Sequence, residues 1–341
     1  MNKKHIYILS IIIFGAGFSS WWMHSRIKGN AELEKLARSL YVPFDASMQS
    51  DAYAGLLHKQ AGSQTLMTFF KDLYNRNPLN KVTIAEQPHI PKIIHHIWMG
   101  SPMREKDKPC YESWLKFHPE WTFIFWTDNA ANYDKGDIVV YSFEEVEKLL
   151  ADNKNDSLRI VVDINKLQFA NRAFFDESIN YGERGDILDY EIVYRFGGVY
   201  VDCDFECYKP LDIFHHAYDF YTGIQPLDTN RVQLGAALFG AIPHHPILAG
   251  CVEDIKNYRH IPQIIVKTGP IYFTREFYKI AGRSSELKDI ALPASYFYPC
   301  GYEQRMQPKD VWCKNESFAV HHWAGSWLEP AGFVKKALAR A

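Results

Sequence analysis

Two aspartates one residue apart, Asp202 and Asp204, close the apolar run Val199-Tyr200-Val201-Asp202-Cys203-Asp204. In an extended strand alternate residues share a face, so Val199, Val201 and Cys203 are expected on one side and Tyr200, Asp202 and Asp204 on the other. Their Cα atoms would then lie about 6.5 to 7 Å apart, close enough for both carboxylates to converge on one hard divalent cation, directly or through water. Such an ion can clamp a diphosphate and neutralise charge developing on a leaving group. A bare D-x-D more often means two surface acids on a strand end. Here residues 199 to 203 read as interior and the acids come at the exit, which makes a poor solvated face. A glycosidase needs carboxyls that flank a sugar from separate positions, about 5 Å or more than about 6.5 Å apart. Neighbours on one strand suit a shared cation better.

The elements that must carry these acids are legible around them. Leu188, Ile192 and Phe196, with Ile187, Tyr190 and Tyr194 beside them, follow helical steps and predict one helix face beginning near Gly185. Gly197-Gly198 ends that helix, because glycine accepts the left-handed turn that closes it, and the chain then enters a strand over Val199 to Phe205. Upstream, Ile93 to Trp98 predicts a buried strand stopped by Gly100-Ser101-Pro102. Trp121 to Trp126 predicts a second, stopped by Thr127-Asp128-Asn129, and Glu144 to Leu150 opens a helix. This alternation from Ile90 onward indicates an α/β domain. Ligands gather beyond the C-terminal ends of strands in open α/β sheets, which makes Trp98 and Asp128 candidate binding residues.

The rest of the chain sets the frame. With 341 residues, 47% hydrophobic and 23% charged, it can bury one large core or two modest ones, which excludes a disordered or fibrous protein. A net charge of -2 with scattered charges leaves no footprint for nucleic acid. The cysteines at 110, 203, 207, 251, 300 and 313 form no CxxC pair, so no zinc ribbon or dense disulfide framework is indicated; free thiols and a Cys300–Cys313 bridge both remain open. Residues 1–30 read as a membrane anchor or a signal segment. Lys3 and Lys4 precede an uncharged apolar stretch from Ile6 to Met23, closed by Trp21, Trp22 and Arg26. Arg26, Lys28, Lys35 and Arg38 tilt the positive-inside rule towards a cytoplasmic C-terminal domain. Residues 31–89 carry amphipathic spacings at Leu33, Leu36 and Leu40 and again from Leu56 to Phe70, a helical stem or subdomain ended by Pro78, Pro88 and Pro91. A catalytic domain is expected over 90–330 and a tail over 331–341.

Four motifs in order resemble glycosyltransferase family 32, which takes in yeast-type mannosyltransferases and bacterial capsule or lipopolysaccharide sugar transferases. They are Ile90-Pro91-Lys92-Ile93-Ile94-His95-His96-Ile97-Trp98-Met99-Gly100, Asp186-Ile187-Leu188, Tyr194-Arg195-Phe196-Gly197-Gly198-Val199-Tyr200-Val201-Asp202-Cys203-Asp204 and His321-His322-Trp323-Ala324-Gly325-Ser326-Trp327. The donor site of that family is similar to that of the glucosylating clostridial toxins. The resemblance implies a GT-A fold, one Mn²⁺ or Mg²⁺ ion, and retaining transfer of a hexose from a UDP- or GDP-sugar to a glycan, glycolipid or protein hydroxyl. It implies that Trp98 stacks on the nucleobase, that Asp186 hydrogen-bonds the donor sugar, and that Asp202 contacts ribose or metal. Asp204 and His321 would ligate the metal, and Ser326 and Trp327 would approach the diphosphate from a closing loop. These roles suit the groups, since an indole face fits a base and a carboxylate fits sugar hydroxyls.

One position departs from the pattern. Family members commonly carry an arginine three residues after the helix aspartate, where this chain has Asp189. Arg184, Arg195 or another base would have to supply the missing cation, or donor choice and rate differ. Thr268-Gly269-Pro270 resembles a further family motif that shapes the acceptor side, with a plain turn as the alternative. Two other function classes stay open: an inactive transferase fold that binds carbohydrate or acts as a scaffold, and a metal-dependent phosphoesterase. Nucleotide sugars are made in the cytoplasm, so the flanking charges fit a bacterial inner-membrane protein with its catalytic domain facing inward; a Golgi type II protein is the alternative.

Overall fold

The computed structural model describes residues 30–132, 137–154 and 157–325. The expected membrane segment and tail, with Ser326 and Trp327, lie outside the described residues. Among those described, no helix is long and apolar enough to cross a membrane.

The described strands are β1 (Ile93–Trp98), β2 (Thr122–Thr127), β3 (Ile138–Val140), β4 (Arg159–Asp163), β5 (Gly198–Val201), β6 (Phe205–Cys207), β7 (Phe220–Ile224), β8 (Leu234–Ala241), β9 (Asp289–Leu292) and β10 (Ala319–His321). Eight form one sheet in the order β3-β4-β2-β1-β5-β8-β7-β9. β8 pairs antiparallel with both its neighbours, and every other pairing is parallel. The fold is therefore mixed α/β with a large, mostly parallel sheet, as the alternating pattern predicts. Parallel strands covered on both faces read as unbroken apolar runs, and β2 is buried at every residue. The helices Ser63–Arg76 and Tyr181–Phe196 and the segments around Phe44 and Met48 send side chains into the same core as the sheet.

The Tyr181–Phe196 helix positions one wall of the site, and its ends are set by local chemistry. The Asn180 side chain accepts the Glu183 N–H at 3.1 Å and starts the helix. Gly197, at φ 64°, stops it, and Gly198, at φ 90°, turns the chain into β5. β5 lies so close to β1 that a Cβ on Gly198 would meet the Ile93 carbonyl oxygen at 2.6 Å.

The strand expected to run from Val199 to Phe205 is instead two. The Asp202 N–H still bonds the Ala237 carbonyl of β8, but its own carbonyl accepts the Phe205 N–H in a turn. β6 then leaves the main sheet and pairs antiparallel with β10. The acidic pair thus sits where the chain passes from one sheet to the other, and the partner strand β10 brings His321 alongside.

Candidate active site

Beyond the C-terminal ends of β1 and β5 lies a cavity of about 480 Å³. Trp98, Asp186, Asp202, Asp204 and His321 all line it, although they come from four separate stretches of sequence. His321 Nε2 lies 3.2 Å from Asp204 Oδ1 and 3.9 Å from Asp202 Oδ2. One ligand atom from each of the three falls within 4.8 Å of the others, a set that could hold a metal ion. Two carboxylates and an imidazole suit a hard or borderline divalent cation, Mn²⁺ or Mg²⁺ among them. His321 is the histidine of its pair that faces the acids; His322 turns to Glu206 at 2.9 Å.

Each of the three side chains is oriented by its surroundings. The Tyr200 hydroxyl donates to Asp202 Oδ1 at 2.5 Å, and the Ala324 N–H donates to Asp204 Oδ2 at 2.8 Å. The His321 ring stacks on Phe205 with centroids 5.3 Å apart and packs against Trp323 at 4.5 Å. The two acids are driven apart electrostatically. Burial and the charge of Asp204 push the Asp202 carboxyl up. Burial also acts to raise Asp204, but the His321 imidazole and the hydrogen bonds it receives outweigh that and hold it down. Burial works against the His321 cation, yet Asp204 beside it leaves the imidazole above its ordinary range.

Asp186 faces the cavity one helical turn before Asp189. Burial pushes the Asp186 carboxyl up to about 8, against a hydrogen bond from the Thr268 hydroxyl at 2.7 Å. Asp189 is buried, with Oδ1 lacking a partner among the described residues, and burial together with Asp186 and Asp202 pushes it well above the carboxylate range. A buried carboxyl whose protonated form is favoured by burial therefore stands where an arginine was expected. Neither anticipated substitute reaches the cavity. Arg184 Nε donates to the Phe175 and Ser178 carbonyls, and Arg195 pairs with Glu144 and Glu147. Asp128 does not line the cavity either; both its oxygens accept the Gly100 N–H and hold the turn after β1.

Sequence reading missed three contributors. Tyr200 was placed on the same face as Asp202, and that period-2 relation was the available signal for its hydrogen bond. Arg104 lines the cavity from a loop with no periodicity to mark it. Thr268 was legible only as a turn residue or part of an acceptor-side motif, because its partner Asp186 is 82 residues away.

Residues 104–221 match the family described as the glycosyltransferase sugar-binding region containing the DXD motif. The match takes in Asp186 and the Asp202-Cys203-Asp204 motif but stops short of Trp98 and His321. Inositol phosphoceramide mannosyltransferase 2 of Schizosaccharomyces pombe is 25% identical over 252 residues, 72% of this chain and 60% of that protein. Mannosyl phosphorylinositol ceramide synthase SUR1 of Saccharomyces cerevisiae is 26% identical over 212 residues, 60% of this chain and 46% of that protein. The chain spans about half the length of the curated relatives it matches. The solved PaToxG glycosyltransferase superposes with a TM-score of 0.43 at 21% identity, over 65% of this chain and 79% of that one. Through the segment that holds its paired aspartates, the chain is similar to glycosyltransferases whose sugar-binding region contains the DXD motif.

Proposed function

We propose that this protein is a metal-dependent, retaining glycosyltransferase of GT-A type that moves a hexose from a UDP- or GDP-sugar to a hydroxyl of a glycan, glycolipid or protein. The observation that carries the reading is the meeting of Asp202, Asp204 and His321 beside Asp186 and Trp98 in one cavity at the carboxyl end of the sheet. The single reversed strand, β8, in an otherwise parallel sheet is compatible with that fold type. The names of the yeast relatives support mannose as the first hexose to test and a polyol-headed lipid as the first acceptor.

In this mechanism the Trp98 indole stacks on the nucleobase, which orients the donor along the cavity. Asp202, Asp204 and His321 would hold Mn²⁺ or Mg²⁺, and Tyr200 and the Ala324 N–H keep the two carboxylates aimed at it. When bound, the ion supplies charge neutralisation for the departing diphosphate. Asp186, fixed by Thr268, accepts hydrogen bonds from the sugar hydroxyls and sets the anomeric carbon against the acceptor. The leaving diphosphate takes the acceptor proton on the face it vacates, which retains configuration; an inverted anomer in the NMR spectrum of the product would overturn that step.

The decisive assay follows sugar release and transfer from radiolabelled GDP-mannose and UDP-sugars, with and without Mn²⁺, in wild type and Asp204→Ala. Activity that needs both the metal and Asp204 is expected, and equal turnover in the two proteins would sink the metal assignment. We place the protein at a bacterial inner membrane with a cytoplasmic catalytic domain, where nucleotide sugars are made. Protease resistance of that domain in sealed inside-out vesicles would favour the Golgi type II alternative.

A further inference from the structure

The strand order sets the direction in which a donor and an acceptor would meet. β1, β5, β8 and β7 are consecutive neighbours in the main sheet. Trp98 ends β1, and Asp202 follows the last residue of β5. β8 runs antiparallel to β5 and β7, so Gln233, before its start, and Gln225, after the end of β7, stand at the same edge as those two. Strands lie about 4.8 Å apart, which places Gln233 about 10 Å across the sheet from Trp98, with the acidic pair between them. Ile264 and Ile265 line this far side as well, and the Pro270–Ile280 helix that follows them docks on it, the Thr274 hydroxyl accepting the Leu234 N–H at 2.8 Å. A nucleobase on Trp98 and a diphosphate beside Asp202 and Asp204 leave the β8 and β7 side for the sugar and its acceptor.

That side has a chemistry of its own. From residue 225 to residue 302 none of the described lining residues is charged. Gln225 and Gln233 are locked to each other, Gln233 Nε2 donating to Gln225 Oε1 at 2.6 Å and the Gln225 N–H to the Gln233 carbonyl at 2.9 Å. Tyr302, 51% exposed, is the most exposed aromatic residue among those lining the cavity. A Cβ on the preceding Gly301 would strike Asp228, so Tyr302 stands beside the β7–β8 connection. From outside the lining, Arg305 steadies one face of the ring, its guanidinium carbon 3.5 Å from the centroid and its Nη1 donating to the Tyr302 carbonyl. Resting on the nucleotide-sugar reading above, we infer that the acceptor is an uncharged sugar or cyclitol ring, received on the β8 and β7 side with its apolar face against Tyr302. A phosphate brought there would lose its water and find no cation among the described lining residues of that side. Ring C–H groups and hydroxyls instead match a wall of aromatic, aliphatic and amide groups.

Two sources present such a ring, a soluble glycan and the head of a glycolipid. Transfer is measured from the nucleotide sugar that wild type uses, on wild type, Tyr302→Ala and Tyr302→Trp. The acceptors are methyl glucoside, octyl glucoside and myo-inositol, beside glucose 6-phosphate and inositol 1-phosphate. The neutral acceptors should show KM values more than about tenfold below those of their phosphorylated counterparts. Tyr302→Ala should raise the neutral acceptor KM about threefold to tenfold, and Tyr302→Trp should recover most of that loss because it keeps a ring. Donor KM and calorimetric binding of UDP or GDP with Mn²⁺ should stay within about twofold in both variants, which separates acceptor contact from general damage to the site. An octyl glucoside KM below that of methyl glucoside assigns the ring to a glycolipid and equal values assign it to a soluble glycan; both uphold the inference. An unchanged acceptor KM in Tyr302→Ala would overturn it, as would transfer only to phosphorylated acceptors, or to none of the panel while a diphosphate still binds. Failure of wild type to bind either diphosphate would instead sink the nucleotide-sugar reading, and this inference with it.

Discussion

The Thr268 hydroxyl, fully buried, donates to Asp186 Oδ2 at 2.7 Å and ties the start of the Pro270–Ile280 helix to the cavity wall. The next residue, Gly269, lies so near that a Cβ there would stand 3.4 Å from the same oxygen. One oxygen of Asp186 is thereby held from behind, which fixes the carboxyl at the cavity wall. Thr268→Val keeps the shape and removes the donor. Its transfer kcat/KM should fall about tenfold, the equivalent of one hydrogen bond of about 1.4 kcal/mol, while Thr268→Ser keeps most of the rate. A valine variant as fast as wild type would show that Asp186 needs no positioning from Thr268.

Protons would compete with a metal ion for the same three side chains, Asp202, Asp204 and His321. Without an ion, burial and Asp204 hold the Asp202 carboxyl up, and Asp204 keeps the His321 imidazole above its ordinary range. A cation that binds all three must displace those protons, so Mn²⁺ affinity should climb as pH rises between about 5 and 8. Calorimetry in two buffers of different ionisation enthalpy would read the released protons directly. His321→Ala should weaken Mn²⁺ by more than about tenfold and flatten the dependence. Affinity independent of pH in wild type would remove His321 and Asp202 from the ligand set.

Much of this site was legible because short-range rules govern it. β1 runs from Ile93 to Trp98 as the apolar run predicts, and Gly197 and Gly198 close the helix with the positive φ that only glycine adopts cheaply. The path between the two aspartates was not legible, since a strand and a turn look alike until β10 is seen to draw β6 out of the main sheet. β8 also escaped notice. Its sequence, Leu-Gly-Ala-Ala-Leu-Phe-Gly-Ala, has no β-branched residue, and its glycines answer to distant rings: a Cβ on Gly235 would strike Tyr298 and one on Gly240 would strike Tyr221. The joining of Asp186 to Thr268 is likewise a product of tertiary packing, which spacing cannot reveal.

Asp189 offers a test of buried charge. The folded chain holds its proton far more tightly than the unfolded chain, through burial and the nearby Asp186 and Asp202. Unfolding releases that proton above the ordinary carboxylate range, so the group's contribution is fully present below about pH 4 and declines as pH rises. Asp189→Asn preserves size and has no proton to lose. In EDTA, its melting temperature should draw ahead of wild type progressively from pH 5 to pH 9, by about 2 °C or more for each 1 kcal/mol. Parallel melting curves across that range would mean that Asp189 is ionised in the folded protein.

The same substitution at two glycines should act in opposite directions. At Gly198 an alanine would have to adopt φ 90° and push its methyl to within 2.6 Å of the Ile93 carbonyl, at the point where β5 joins β1. Neither strand can move without disturbing the sheet that carries Asp202, so Gly198→Ala should cost more than about 2 kcal/mol. At Gly185, inside the Tyr181–Phe196 helix, nothing lies within 4 Å of the added methyl, and alanine should stabilise by about 0.5 to 1 kcal/mol through helix propensity. Gly185 also lines the cavity, so its methyl should raise the donor KM even as the melting temperature rises. Urea unfolding of both variants reads the signs, and a Gly198→Ala protein as stable as wild type would contradict the close approach of β5 to β1.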